Sequence, residues 1–392
     1  ASSAEAGDSA LGRLLASVAD WLTSTDHKKI GRLFLGGGLL GLFGTVAINV
    51  ILGIERSGIG NIDDNAIAQI LDAQRVGLVF ATLLPLSIGL CVAVVPMQLG
   101  ARSIAFPRLA AAGLWMWAGG LILSMIALVN NGGGLGGDPD MVDLFLGAHG
   151  LMAIGLAATG VSIATSVLTT RAPGMSMRRV PFFALSAFVM ALGLVIVMPV
   201  LLGTLTYLFV DHRNGREAFG GNTGLYDWAG WIFSPGVAVL FAIPVAGLLG
   251  EGAPLLFKQR TPARGVVFAG FGLMGVAALG AVTQVAVHNV PWAGSDLYLG
   301  GSDDVREKLY DVLPWAMFNL LPLLGLTIVL LMTLFLAKPV KGARPNVTPA
   351  LAFGFLGLGM VMVGMIGTAL FAIEDIGLQD TVFAEGALIY VV

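Results

Sequence analysis

The sequence predicts an all-α membrane protein, a bundle of helices that cross a lipid bilayer. Hydrophobic residues make up 56% of its 392 residues, charged residues make up 11%, and the mean hydropathy is +0.87. Soluble domains carry about 25% charged residues, so this composition excludes an ordinary soluble fold. The second observation is a series of long apolar segments, since about 20 apolar residues span a hydrocarbon core of roughly 30 Å. The sequence lacks the alternating pattern of a membrane β-barrel.

Nine segments are long and apolar enough to cross the membrane, and a tenth begins near Thr381 and runs to Val392. Backbone groups in lipid must be hydrogen-bonded within their own segment, so each segment is predicted to be a helix. The expected transmembrane domain, residues 27–392, therefore contains nine full helices plus the start of a tenth. The nine predicted helices cover approximately residues 30–53, 76–99, 109–130, 144–168, 180–209, 229–250, 265–287, 312–336 and 347–372.

Residues 1–26 precede the first predicted membrane helix and form a separate region. Small and polar residues come first, and a short stretch with amphipathic character follows, which predicts a flexible tail leading into a short amphipathic helix. The stretch lacks an apolar core long enough for a signal peptide. Cys91 is the single cysteine, so a disulfide or a multi-cysteine metal site within the chain is excluded.

Basic residues are concentrated on one side of this topology. Loops on the cytoplasmic side of membrane proteins are enriched in Lys and Arg, which predicts a cytoplasmic N-terminus, with a bacterial inner membrane as the expected location. Most acidic residues fall on the outer side, where they could attract a basic extracytoplasmic protein. The same distribution also arises by default when basic residues are sorted inside. The inner side holds fifteen of the 21 basic residues: Arg13, Lys28, Lys29, Arg32, Arg102, Arg108, Arg171, Arg178, Arg179, Lys258, Arg260, Arg264, Lys338, Lys341 and Arg344.

Five motifs at loops and helix ends carry a family resemblance. They occur in the order and at the separations found in subunit I of the haem-copper oxidases, and the chain resembles this family, cytochrome c oxidase in particular, from about Ser24 to Val392. The resemblance implies the oxidase subunit I fold, in which histidines between the helices hold two haems and a copper ion. The motifs are STDHKKIG at 24–31, VPMQLGARSIAFPRL at 95–109, TTRAPGMSMRRVPFF at 169–183, MPVLLGTLTYLFVD at 198–211 and LQDTVF at 378–383.

The resemblance assigns cofactor-ligand positions, and none of them is a histidine in this sequence. Imidazole is the ligand that suits both haem iron and copper, so no cofactor is predicted in this chain. The assigned haem positions are Gln74 (or Ala73, depending on a one-residue gap), Ala387 and Ile389, and the assigned copper positions are Ser234, Ala286 and Val287.

Positions that the family uses for proton delivery are also replaced. The resemblance aligns the family's proton-entry Asp with Ser103, a nearby Asn with Ala110, a Lys with Phe318 and a Glu with Gly236. Ionisable groups inside a membrane are expensive and persist where function uses them. Small and apolar residues at these positions agree with loss of the redox reaction. If the haem space is empty, Phe233, Phe318 and Trp315 are candidates to fill it.

Four polar residues remain as candidates for another kind of site: Glu385, Asp143, His149 and His288. For Glu385, a proton or cation path competes with a carboxylate that snorkels or bonds to a neighbouring helix near the outer end. His149 is expected at the start of the fourth helix, and its spacing from Asp143 puts the two on different helical faces, which disfavours a shared metal site. His288 is expected near an outer helix end in an interfacial role. His27 belongs to the DHKK motif, in which Asp26 is expected to cap the first helix.

The leading hypothesis is a catalytically silent, cofactor-free subunit-I-like protein that acts as a structural or interaction subunit of a respiratory or energy-converting complex. Its expected partners are other membrane subunits, lipid and a basic protein at the acidic outer face, with no nucleic acid. One alternative is an ion or small-molecule transporter that uses the emptied core, which predicts a wet cavity reaching Glu385 or Asp143. Another is an oxidase component whose haem and copper centres lie in a partner chain. The replaced ligands argue against catalysis by this chain.

Overall fold

Long helices dominate the structure, and the predicted all-α membrane bundle is confirmed. The bundle has two ends, called here the near side, where the first long helix begins at His27, and the far side, where that helix ends at Arg56. The structure is a computed structural model that describes residues 10–60, 62–216, 218, 220–261, 263–280, 312–313, 315–336, 348–371, 373, 376–378 and 383–392.

A short helix, α1, comes before the first long helix, α2. The next crossing is continuous but has three parts, since a π-helical segment, Gly77–Leu83, joins α3 to α4. A small antiparallel ribbon connects α5 to α6 and pairs β1 (Gly132–Gly133) with β2 (Gly136–Gly137). The helices of this half are α1 (Ala10–Leu22), α2 (His27–Arg56), α3 (Asp64–Val76), α4 (Leu84–Leu99), α5 (Pro107–Val129), α6 (Pro139–Thr169) and α7 (Phe182–Arg213).

The second half begins with a short helix and a 3₁₀ turn, Gly230–Phe233, that lead into α9. A second π-helical segment, Ala316–Leu320, leads directly into α11. The helices of this half are α8 (Leu225–Ala229), α9 (Pro235–Leu256), α10 (Arg264–Gly275), α11 (Leu321–Phe335), α12 (Pro349–Phe371) and α13 (Phe383–Val391).

Eight helices in the described part of the chain are long and apolar enough to cross a membrane. They correspond to eight of the nine predicted crossings. The predicted seventh crossing, 265–287, is described only as a shorter apolar helix, Arg264–Gly280. Its remaining residues, among them Ala286, Val287 and His288, lie outside the described residues, as do residues 1–9 and the predicted helix start near Thr381.

Three predicted helix starts were wrong. The second crossing begins at Asp64 rather than near 76, and in two other crossings a capping residue sets the boundary. The fourth crossing begins at Pro139 rather than near 144, since Asp138 Oδ1 accepts hydrogen bonds from the next turn and Pro139 suits the first helical position. His149 is therefore not at a helix start but about 15 Å along the axis of α6 from Pro139. The sixth crossing begins at Pro235 rather than near 229, with Ser234 as its cap.

The near side is organised by the motifs that carry the family resemblance. Asp26 caps α2 as predicted, accepting from the Lys28 backbone N–H at 3.0 Å. The Ala172 N–H donates to the Leu99 carbonyl at 2.9 Å, and the Ala105 N–H donates to Ser166 Oγ at 2.8 Å. The segments that follow α4 and α6 are thereby held together, which fixes two loops that are distant in the sequence.

Close helix packing depends on glycine at two crossings. A Cβ atom at Gly31 of α2 would lie 2.8 Å from the Gly89 carbonyl oxygen of α4. A Cβ atom at Gly155 of α6 would lie 2.6 Å from the Gly113 carbonyl oxygen of α5. Small residues let membrane helices approach closely, so α2 packs on α4 and α5 on α6 with their backbones almost in contact.

Candidate functional site

The far side of the bundle holds a set of interacting charged and polar residues, called here the far-side network: Arg56, Asp72, Arg75, Tyr226 and Glu385. Arg75 Nη2 lies 3.3 Å from Glu385 Oε1, and Arg56 Nη2 lies 3.5 Å from Glu385 Oε2. The Tyr226 hydroxyl donates to Asp72 Oδ1, and the Arg75 guanidinium lies 4.5 Å from the centre of the Tyr226 ring. The network joins α2, α3, α8 and α13.

Asp72 is fully buried, yet each of its carboxylate oxygens has a donor. Oδ1 accepts from Tyr226, and Oδ2 accepts from the Leu135 backbone N–H at 3.1 Å in the turn between β1 and β2. Burial, and then the neighbouring Asp72 carboxylate, raise the pKa of the Tyr226 hydroxyl well above its ordinary value. Tyr226 therefore keeps its proton and remains a donor at neutral pH. A buried carboxylate is costly unless it is hydrogen-bonded, and both oxygens of Asp72 have donors.

A second polar cluster lies where α6 begins and α7 ends. His212 Nδ1 donates to Asp143 Oδ1 at 2.7 Å, because a carboxylate oxygen can only accept, and Arg213 Nη1 lies 2.9 Å from Asp143 Oδ2. Arg213 also approaches Asp140 at 3.4 Å. Asp143 thus has a basic partner on each oxygen, and His149 is not one of them.

His149 lies deeper in the bundle, inside a set of aromatic rings called here the His149 cluster. The centre of the imidazole lies 4.2 Å from the centre of the Phe145 ring, 5.2 Å from that of Phe80, which is edge-on, and 6.5 Å from that of Phe233. His149 Nδ1 donates to the Phe145 carbonyl at 2.9 Å, since a carbonyl can only accept. Nε2 is buried and has no hydrogen-bond partner among the described residues.

The cluster is built on the π-helical segment between α3 and α4. Phe80 belongs to that segment, its side chain is fully buried, and its carbonyl accepts a hydrogen bond from Trp117 Nε1 at 2.8 Å. Phe233 ends the 3₁₀ turn before α9 and lies 5.8 Å from the Phe80 ring. This segment is one of two π-helical segments in the described part of the chain, and π-helical turns frequently occur at functional sites.

The assigned ligand positions are occupied by residues with other contacts. Gln74 is buried, and its Nε2 donates to Asn49 Oδ1 of α2 at 2.5 Å. Ser234 Oγ accepts from the Val237 N–H at 3.3 Å as the cap of α9. Ala387 is buried against α12, where a Cβ atom at Gly364 would lie 2.7 Å from its carbonyl oxygen. Ile389 is 48% exposed.

The other predicted positions are distributed through the bundle. Phe233 joins the His149 cluster, as described. Phe318 belongs to the π-helical segment before α11, and its side chain lies beside Gly280. Trp315 Nε1 donates to the Ala369 carbonyl at 3.1 Å. Glu385, Asp143 and His149 belong to three separate sets of contacts. Within the described ranges, no group of three or more His, Cys, Asp or Glu side chains could hold a metal ion.

Sequence reasoning identified Glu385, Asp143 and His149 but not the partners around them, such as His212 and Tyr226, and it did not identify Asn49 as the partner of Gln74. A usable signal existed for His212, because the predicted fourth and fifth helices place Asp143 and His212 on the same side of the membrane. Tyr226 and Asn49 had no such signal, since their partners Asp72 and Gln74 are polar residues without a recognisable spacing to them. Contacts of this kind depend on how each helix is rotated.

The fold and these clusters define a polytopic helical membrane protein whose buried charges are paired inside the bundle. The chain belongs to the haem-copper oxidase subunit I family, since the family described as Cytochrome C and Quinol oxidase polypeptide I matches residues 29–383. This confirms the resemblance found in the loop motifs.

Three curated relatives illustrate the similarity. The chain is 28% identical to cytochrome c oxidase subunit 1 of Bacillus subtilis, over 62% of this chain and 42% of the relative. It is 30% identical to a putative cytochrome c oxidase subunit 1-beta of Streptomyces avermitilis, over 70% of this chain and 51% of the relative. It is 29% identical to cytochrome bo(3) ubiquinol oxidase subunit 1 of Buchnera aphidicola subsp. Schizaphis graminum, over 62% of this chain and 40% of the relative. The matched part spans about half the length of these relatives or less.

Proposed function

We propose that this chain is a cofactor-free, catalytically silent member of its family that serves as a structural or interaction subunit of a respiratory or energy-converting complex. Its location would be a bacterial inner membrane, with the N-terminus in the cytoplasm. The proposal rests above all on the ion pair between Arg75 and Glu385. The supporting contacts come from the same two helices that the family uses to hold a haem.

Arg75 directly follows Gln74 in α3, and Glu385 is on the same short helix as Ala387. The resemblance assigns haem-ligand positions to both helices: Gln74 in α3, and Ala387 and Ile389 in α13. Here the neighbouring side chains of these helices meet at 3.3 Å. This ion pair supports a bundle in which α3 and α13 are joined by their own side chains.

The residues present do not fit a haem or a copper ion. An amide, a methyl group and a hydroxyl replace imidazoles at Gln74, Ala387 and Ser234, and none of these is an ordinary ligand of haem iron or copper. Two of them already have other roles, since Gln74 bonds to Asn49 and Ser234 caps α9. No reaction step through either group is therefore proposed for this chain.

The transporter alternative gains no support from the two candidate carboxylates. Both oxygens of Glu385 lie near arginines, and both oxygens of Asp143 contact His212 or Arg213. A transported cation would have to displace these basic partners. An arrangement of this kind favours a structural role for both residues.

The partners proposed for this subunit follow from its surfaces. Long membrane helices with mainly exposed apolar side chains, such as α2 and α12, suit lipid or other membrane subunits. Acidic residues of the loops on the far side suit a basic soluble protein, whose association rate they would raise.

The test is an absorption spectrum of the purified complex, oxidised and dithionite-reduced, with haem and copper quantified per copy of this chain. A haem-containing oxidase subunit I purified in the same way is the positive control. We expect no haem attributable to this chain. Stoichiometric haem that is lost in a His149→Leu variant would overturn the proposal, because it would identify a new ligand. Haem that belongs to a co-purified chain would favour the alternative in which the centres lie in a partner.

A further inference from the structure

The short helix α1 carries an apolar face that the described part of the chain leaves uncovered. With 3.6 residues per turn, its large apolar side chains fall within an arc of about 100°. Arg13, Ala16 and Asp20 lie on the opposite side of the helix. The apolar side chains are Leu14, Leu15, Val18 and Leu22, which are exposed by 59, 58, 45 and 46%.

Contacts at its C-terminal end attach α1 to the membrane-crossing helices. Trp115 Nε1 of α5 donates to the Leu22 carbonyl at 3.1 Å. Lys29 of α2 lies 2.5 Å from Asp20, and its ammonium group is 5.8 Å from the centre of the Trp21 ring. Since α5 is a membrane crossing and α2 begins at His27, α1 ends at the near-side boundary of the membrane rather than away from it.

We propose that α1 lies in the near-side membrane surface, with its apolar face in the lipid and its polar face in water. Helices with a narrow apolar face and a polar opposite face bind membranes in this orientation. The apolar face is continuous with a lipid-facing surface, because the Trp115 side chain that contacts Leu22 is itself 42% exposed. Trp21 and Trp115 are the residue type enriched at membrane interfaces.

The charges around α1 favour anionic lipid headgroups. Arg13 lies on the polar face, and Lys28, Lys29 and Arg32 follow at the beginning of α2. Basic residues next to a membrane helix are attracted to anionic headgroups at the surface. The proposed occupant of the apolar face is therefore the lipid leaflet on the near side. This inference does not depend on whether the chain binds haem.

The test uses single-cysteine variants of the full chain in bilayers of phosphatidylethanolamine and phosphatidylglycerol. Cys91 is replaced by alanine, and nitroxide labels are attached in Val18→Cys on the apolar face and in Ala16→Cys on the polar face. Phe43→Cys, on the exposed surface of α2, is the reference for lipid, and Ser57→Cys, just after α2, is the reference for water. Collisions of each label with oxygen, which concentrates in lipid, and with a water-soluble nickel chelate are compared by electron paramagnetic resonance.

We expect the ratio of oxygen to nickel collision rates to be several-fold higher at position 18 than at position 16, and close to that of the lipid reference. Equal ratios at both positions, close to the water reference, would overturn the proposal, because α1 would then be in solution. A label at position 18 that is shielded from both reagents would also overturn it, since a protein surface would then cover this face. The four label positions are exposed, and Cys91→Ala removes only one sulfur atom from the buried interior, so the bundle is expected to fold in each variant.

Discussion

The far-side network and the His149 cluster handle buried polar groups in opposite ways. In the network, Asp72 and Glu385 each have donors from other elements of the fold, and Arg56 and Arg75 supply the positive charge. In the cluster, one imidazole is enclosed by aromatic rings, and its Nε2 has no partner in the described part of the chain.

This difference shows which forces hold each region together. The network lies at a helix end, near the side where water and headgroups are available, so charged side chains can be used there in pairs. The cluster lies well inside α6, where a neutral ring packed among phenylalanines is less costly than a charge. We therefore expect the network to be sensitive to charge and the cluster to be sensitive to shape.

The largest effect is expected in the cluster, for Phe80→Ala. Phe80 is fully buried, so removing its ring leaves a cavity and should lower the free energy of unfolding by about 3–5 kcal/mol. Unfolding can be followed in a denaturing-detergent titration by the reactivity of the buried Cys91 thiol. Phe43→Ala, which removes a ring that is 72% exposed, is the matched control and should change stability little. Equal losses in both variants would contradict the role assigned to the cluster.

The next effect is expected in the network, for Arg75→Met. The change leaves Asp72 and Glu385 without their shared basic neighbour and should cost roughly 2–3 kcal/mol in the same titration. Arg75→Lys keeps the charge but not the planar guanidinium, so a smaller loss is expected. Adding Glu385→Leu to Arg75→Met should cost less than the sum of the two single changes. Fully additive losses would show that the two side chains do not interact.

A smaller effect is expected for Tyr226→Phe, which removes the donor to Asp72 and should cost about 1–2 kcal/mol at neutral pH. Tyr390→Phe, at a half-exposed tyrosine, is the control. The pKa of Tyr226 is raised by burial, so the folded protein holds this proton more tightly than the unfolded chain does. The stability that depends on this proton is present below about pH 10 and is lost as the pH rises further. A difference between wild type and Tyr226→Phe that grows above that pH would contradict this assignment.

The smallest effect is expected for His149→Leu. Losing the hydrogen bond from Nδ1 is destabilising, while removing the unpaired Nε2 acceptor is stabilising, so the net change should be within about 1 kcal/mol. His149→Ala also removes both ring nitrogens, but it leaves a cavity, so it should cost about 2 kcal/mol or more. If His149→Leu were as harmful as Arg75→Met, Nε2 would have a partner in the working protein, and the contrast between the two regions would fail.

Hydropathy was sufficient for most of the fold. Eight of the nine predicted crossings have their helices, and Asp26 caps α2 as predicted, because both signals are contained in a short segment. The start of α6 was missed because the apolar run begins later than the helix does. The true boundary was visible in Asp138 and Pro139, a cap followed by a residue that suits the first turn. The π-helical segment at Gly77–Leu83 had no local signal that hydropathy could detect.

The candidate site was predictable only in part. Glu385, Asp143 and His149 stood out because polar groups inside apolar segments are rare, but their partners did not. Arg75 and Glu385 are 310 positions apart in the sequence, and Asp72 and Tyr226 are 154 apart. The aromatic rings around His149 come from three separate elements.

The sequence by itself determined the membrane-crossing helices, the near-side caps and the family, since each is encoded in a run of adjacent residues whose transfer into lipid or local hydrogen bonding sets the outcome. The tertiary structure decided which charges meet and that His149 is enclosed by aromatic rings. Those contacts depend on the rotation and depth of each helix relative to the others. Packing of small residues and pairing of buried charges fix these quantities across the whole bundle, so no single segment contains them.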